Sequence, residues 1–219
     1  AKSSSDPTSG EGIFGAQSSV GVVLPMLIIA DVIAVLYYRR HADWGIILRL
    51  LPWSLTGVAV GVVVGDAVPE SSFRTLLAVV VLVVVALIAY KEIVHRDVQV
   101  PRKWWIAAIL GLVGGFVTMV GNAAGPIMTL YLISMGLSKN QFIGTGAWYY
   151  LVVNILKVPL HVIFWGTITP ATLLVNVMAI PAIVLGGVIG LVIVKHISER
   201  PYRVLLLVTT TIISVRLFF

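Results

Sequence analysis

This sequence predicts an all-α, polytopic membrane protein of two homologous halves, and three observations predict it. First, 59% of the 219 residues are hydrophobic and only 11% are charged. Water-soluble domains carry roughly a quarter charged residues, so this chain cannot cover its apolar mass with a polar surface. Second, apolar runs recur at about 20–38, 46–65, 73–90, 104–121, 126–135, 143–165, 170–194 and 202–219. A spanning helix needs roughly 20 residues, and all of these except 126–135 approach that length. Third, the chain repeats itself. With a shift of 129, Pro52 meets Pro181, Gly57 meets Gly186, Gly61 meets Gly190, Glu70 meets Glu199 and Arg74 meets Arg203. Upstream the shift is 123, and it pairs Gly21 with Gly144 and Asp31 with Asn154.

The repeat divides the chain into a first half, 1–92, a charged linker, 93–103, and a second half, 104–219. Secondary transporters are commonly built from such repeats, with the site between them. The second half carries 104–135 ahead of its spans, whereas the first opens on the short polar stretch AKSSSDPTSGEG and reads as truncated at its start. Within 104–135 the break GNAAGP (121–126) disfavours a continuous helix. The segment is therefore a broken helix or a re-entrant hairpin.

Charge decides between them. The net charge of +6 comes from Lys and Arg gathered between the apolar runs. That placement reads as membrane topology, not as a nucleic-acid patch. If 104–135 returns to its own side, Arg39, Arg40, Lys91, Arg96, Arg102, Lys103, Lys139, Lys195, Arg200 and Arg203 share the cytoplasmic side. If it crosses once, that bias mostly vanishes. The hairpin is favoured, and with it the halves are inverted. Tyr37, Tyr38, Trp44, Trp104, Trp105 and Trp165 read as interfacial anchors.

The chemistry lies in YYLVVNILKVPLHVIFW (149–165). Asn154, Lys157 and His161 stand at i−3, i and i+4, so they share one helix face. An ammonium, an amide and an imidazole together suit a small oxyanion. A lysine at a helix end snorkels to the interface, but Lys157 sits at the centre of its apolar stretch and reads as too deep for that. Asp31 in LIIADVIAV is expected to neutralise Lys157 while the site is empty, to carry a coupling proton, or to make a structural hydrogen bond to a neighbouring helix. If Pro126 opens a new helix, its positive end lies beside Asn122 and attracts an anion. Lys2 is a second candidate cation. The glycines Gly57, Gly61 and Gly65, with Gly186 and Gly190, read as close helix contacts. Trp148, Tyr149 and Tyr150 line the cavity or pack. No phosphate loop, Cys/His metal spacing or nucleophile elbow occurs, and there is no cysteine, so neither an enzyme nor a cofactor or metal is predicted.

Three stretches carry a resemblance: GVVLPMLIIADVIAVLYYRRHADW (21–44), GLVGGFVTMVGNAAGPIMTLYL (111–132), and GTGAWYYLVVNILKVPLHVIFWG (144–166) with its N-x-x-K. Over nearly its whole length the chain resembles the TauE/SafE family of sulfite and organosulfonate exporters. The resemblance implies two related halves, a multi-pass place in the cell membrane and a small, sulfur-bearing anionic substrate. Lys2 matches a lysine of the family's first segment, but SSSDPTSGEG follows in place of the usual Gly-rich apolar continuation. The expectation is a secondary transporter exporting sulfite or a short sulfonate by alternating access. Lys157, Asn154, Asn122, Pro126, His161 and Lys2 hold the anion, and Asp31 supplies the counter-charge or coupling proton. The alternatives are an anion channel and a non-transporting membrane scaffold. The expected partners are the anion and the bilayer, with no nucleic acid and with homo-oligomerisation left open.

Overall fold

The computed structural model describes residues 16–65, 79 and 104–198, and scattered positions between 201 and 212. Among the described residues all regular structure is helical. Helix α1 (Ala16–Tyr38) passes through a short 3-10 turn (Arg39–His41) into α2 (Trp44–Gly65). Then come α3 (Trp104–Gly121), the short α4 (Gly125–Ser134), α5 (Lys139–Ile163) and α6 (Pro170–His196). Five of these are long and apolar enough to cross a membrane, α4 being the exception. At 10 residues, α4 is about 15 Å long, half the thickness of a bilayer core. The expected runs 73–90 and 202–219, the linker 93–103 and Lys2 lie wholly or mostly outside the described residues.

Local chemistry sets the helix ends. Asn122 adopts φ +50°, a left-handed conformation that asparagine tolerates better than most residues, and there the chain leaves α3. Pro126 lies in the first turn of α4, where its missing N–H breaks no hydrogen bond. At the start of α6, Thr169 Oγ1 accepts from Thr172 N at 3.2 Å while Thr169 N donates to Thr172 Oγ1 at 2.8 Å. This is a reciprocal cap. Lys139 Nζ donates to the carbonyls of Val194 and Ile197 at 3.0 and 2.5 Å, so it covers the negative end of α6. Pro25, Pro52, Pro159 and Pro181 all lie inside helices.

Helix α2 lies along α3 with no room for side chains between the backbones. A Cβ on Gly57 would strike the Leu112 carbonyl, and one on Gly115 would strike the Ser54 carbonyl. Close approach of this kind is the main source of helix–helix attraction in lipid. Among the described residues nothing lies within 4 Å of a Cβ added at Gly186 or Gly190, so the close contact expected of them is not seen there, whereas Gly187 meets Ile33 of α1. Gly186 and Gly190 therefore have no close-packing role among the described residues.

The core joins Leu50, Val117, Met119, Ile127, Leu132 and Tyr149. Tyr149 is 1% exposed, and its hydroxyl and Ser54 Oγ are 2.8 Å apart. Tyr149 thus packs α5 against α2. Replacing Tyr149 with Phe is expected to lower stability by about 1–3 kcal/mol, because it strands a buried serine hydroxyl; thermal unfolding in detergent measures it. The interfacial role fits Trp104, Trp105, Trp44 and Tyr37, which are exposed. It is wrong for Tyr38, which is 3% exposed, and for Trp165, which packs on the core. Both are drawn inward because the corners carrying them dock onto the opposite half of the chain.

Candidate functional site

Residues Asn154, Lys157 and His161 are all buried on α5, with Lys157 and His161 fully enclosed. The helix spacing that places them on one face is the i, i+3, i+4 pattern. The structure corrects the depth expected for Lys157. Helix α5 runs from Lys139 to Ile163, so Lys157 stands about 27 Å from its start and about 9 Å from its end. Lys157 is off-centre. Packing, not distance, keeps it from reaching water.

Three acceptors surround the ammonium. Lys157 Nζ donates to the Thr118 carbonyl at 2.7 Å, to Asn122 Oδ1 at 2.5 Å and, at 3.3 Å, to Thr118 Oγ1. Thr118 and Asn122 are one turn apart at the end of α3, so both face Lys157. All three acceptors are uncharged, and among the described residues no carboxylate lies within ion-pair distance of Nζ. Asp31 is occupied elsewhere: its Oδ2 accepts from Asn154 Nδ2 at 2.8 Å. The two residues that the repeat pairs at a shift of 123 are thus in direct contact.

Asn122 does more than face Lys157. Its Nδ2 donates to the Val20 carbonyl of α1 at 3.1 Å. His161 Nδ1 lies 2.9 Å from Thr167 Oγ1, and the Thr167 N–H donates to the His161 carbonyl at 3.1 Å. Thr167 in turn packs so closely on Gly21 that a Cβ there would collide with it. His161 Nε2 is buried and meets no hydrogen-bond partner among the described residues. The His161 ring stands edge-to-face with Trp165, centroids 4.9 Å apart.

The structure therefore brings Lys157, Asn122 and the α3–α4 break together, and it sets the pair Asp31–Asn154 one turn away along α5. Pro126 lies in the first turn of α4 as expected, but the hydrogen-bond partners of Lys157 are Thr118 and Asn122 instead. Sequence reasoning missed Thr118, Thr167 and Asn176. The first had a legible signal, since Thr118 precedes Asn122 by one helical turn. Thr167 sits in a corner that looked like a plain turn. Asn176 is the one residue of α6 that is buried among the described residues, and neither its Nδ2 nor its Oδ1 has a partner.

The family model described as sulfite exporter TauE/SafE matches residues 10–217. The chain belongs to that family. TauE/SafE proteins are membrane transport proteins, and the five long apolar helices agree with that class. Neither a curated protein nor a solved structure matches the chain. In this TauE/SafE member the family name points to an anionic cargo, and the buried ammonium among neutral acceptors is the feature that suits one. A metal is not suggested by the donor set: among the described residues no three His, Cys, Asp or Glu side chains cluster to hold one.

Proposed function

We propose that the protein exports a small sulfur oxyanion, sulfite or a short organosulfonate, across the cell membrane by alternating access. One observation carries this reading: Lys157 is fully buried and its ammonium is hydrogen-bonded only to neutral oxygens, while the Asp31 carboxylate acts on it from a distance and is itself bonded to Asn154. A buried cation of this kind is costly, and an anion that arrives and leaves gives the charge a use. An oxyanion would take the place of Asn122 Oδ1, because a charged oxygen outcompetes an amide oxygen for an ammonium. The off-centre lysine would hold the bound anion about 9 Å from the middle of α5, on the side of the 164–169 corner.

Alternating access is supported by reciprocal contacts between the halves. Gly21 packs under the corner at Thr167, and its repeat partner Gly144 packs under the corner at Tyr38–Ala42, with a would-be Cβ 2.8 Å from the Tyr38 carbonyl. Asp43 N also donates to Thr145 Oγ1 at 2.9 Å. Each half thus docks its corner on the first long helix of the other, at opposite ends of α1 and α5. Asp31 and Asn154 meet between those two contacts. This is the pattern of an isologous interface, as two inverted repeats would make. The hairpin reading of 104–135 is supported by Gly114, beside Ile127 at 3.6 Å from a would-be Cβ, and by α4 being too short to cross.

The reading is tested in proteoliposomes containing the full chain. Uptake of [35S]sulfite should saturate, and unlabelled methanesulfonate should compete with it; flux that rises linearly without saturation would instead mark a channel. The proton-coupling role of Asp31 has its own outcome. Asp31→Asn is expected to keep sulfite exchange within about threefold of wild type, since Asn can still accept from Asn154, while losing the response to an imposed pH gradient. A retained response removes Asp31 from coupling.

A further inference from the structure

Two polar chains run from the buried face of α5 to the same place on α1. Lys157 Nζ donates to Asn122 Oδ1 at 2.5 Å, and Asn122 Nδ2 donates to the Val20 carbonyl at 3.1 Å. His161 Nδ1 lies 2.9 Å from Thr167 Oγ1, and Thr167 is wedged on Gly21. The end points, Val20 and Gly21, are adjacent. A third feature points to a ligand: His161 Nε2, on the same helix face as Lys157, is fully buried and has no partner among the described residues.

We infer that Asn122 and Thr167 are positioning residues that clamp the start of α1 to the anion-binding face of α5, and that an oxyanion releases the clamp by claiming Lys157 and His161. This rests on the site reading proposed above and adds to it the link between cargo and movement. The physical argument is competition. Asn122 has one amide, and its orientation is fixed by two bonds at once. When a charged oxygen takes the ammonium, Asn122 loses the partner that aims its Nδ2 at Val20. A second oxygen of the same anion can meet His161 at Nε2. If the anion draws the ring toward Lys157, Nδ1 moves away from Thr167 Oγ1 and that bond lengthens. Both arms are withdrawn together, and the contact under the 164–169 corner is free to part.

Asn122 as a clamp and Asn122 as a direct anion ligand predict opposite changes in affinity. If it binds the anion, deleting its side chain weakens binding. If it competes with the anion for Lys157, deletion strengthens binding. Asn122→Gly is the suitable variant, because glycine accepts the left-handed backbone at this position without strain.

The experiment uses the full chain in nanodiscs, with sodium sulfite as the probe. Equilibrium [35S]sulfite binding and backbone hydrogen exchange over residues 19–26 are read on the same preparations. For wild type, sulfite should speed exchange over 19–26 by about three- to tenfold, the factor that one lost neutral hydrogen bond is worth. Asn122→Gly should exchange fast without sulfite and bind it about three- to tenfold more tightly. Thr167→Val keeps the shape at Gly21 and removes the hydroxyl. It should raise basal exchange, with binding within about threefold of wild type, as loss of a single neutral bond allows. Weaker sulfite binding in Asn122→Gly overturns the clamp, as does basal exchange like wild type in both variants. Absence of sulfite binding in wild type overturns the site reading instead, and the clamp is then decided by the basal exchange of the two variants.

Discussion

Proteoliposomes carrying Lys157→Met are expected to take up sulfite no faster than empty vesicles. Methionine matches the lysine stem in length and fills the same space, so the helix face keeps its shape while the charge is removed. The attraction between an ammonium and an oxyanion 4 Å apart is about 4 kcal/mol at an effective dielectric near 20. That corresponds to roughly a thousandfold in occupancy, enough to bring flux to background. The variant should still fold. It leaves the Thr118 carbonyl and Asn122 Oδ1 short of a donor, at about 1–3 kcal/mol, but it also relieves the burial of a charge that touches only neutral oxygens. Size-exclusion profiles and thermal unfolding establish that the protein is intact. Wild-type flux of sulfite and methanesulfonate in an intact Lys157→Met protein would remove the lysine from the transport path.

The largest effect on stability should come from Gly115→Ala. A Cβ there would be driven into the Ser54 carbonyl, a backbone atom that cannot swing aside. Helices α2 and α3 would have to separate along their whole contact. That loses dispersion contacts at Gly57 as well, where Leu112 backbone lies equally close. Overpacking costs about 1–3 kcal/mol where side chains can yield, and a rigid backbone obstacle places Gly115→Ala at or above the top of that range. Because Ser54 also meets Tyr149, the disturbance reaches α5. Gly186→Ala is the control: nothing lies within 4 Å of its added methyl among the described residues, and alanine favours the helix by about 1 kcal/mol over glycine. Thermal unfolding of the two variants side by side should show a lowered midpoint for Gly115→Ala and none for Gly186→Ala. Equal midpoints would mean that α2 and α3 are not packed as described.

The repeat explains which of these glycines could be read correctly and which could not. Gly57 and Gly186 are equivalent in sequence, yet one is pressed against a carbonyl and the other has no neighbour within 4 Å of an added Cβ among the described residues. A spacing of small residues shows that close contact is allowed. It does not show which helix supplies the neighbour. The aromatic residues teach the same lesson. Trp104 and Trp165 looked alike as anchors, but Trp165 is turned inward against His161 by a corner that docks on α1. Asn122 was legible as part of a polar break and was assigned to the anion. Its actual partners, Lys157 and Val20, are distant in sequence, and no local pattern could name them.

By itself the sequence determined the membrane class, the five long helices among the described residues, the break at 121–126 and the polar face of α5. Each of these follows from composition or from a period within one segment, because lipid forces every backbone polar group to be satisfied within its own helix. Only the tertiary structure decided that Asp31 meets Asn154, that neutral oxygens surround Lys157, and that two side-chain bridges hold the start of α1. Those facts depend on which helices lie side by side. In a bilayer, where one apolar face is as good as another to the lipid, that choice is made by shape and by a few long-range hydrogen bonds.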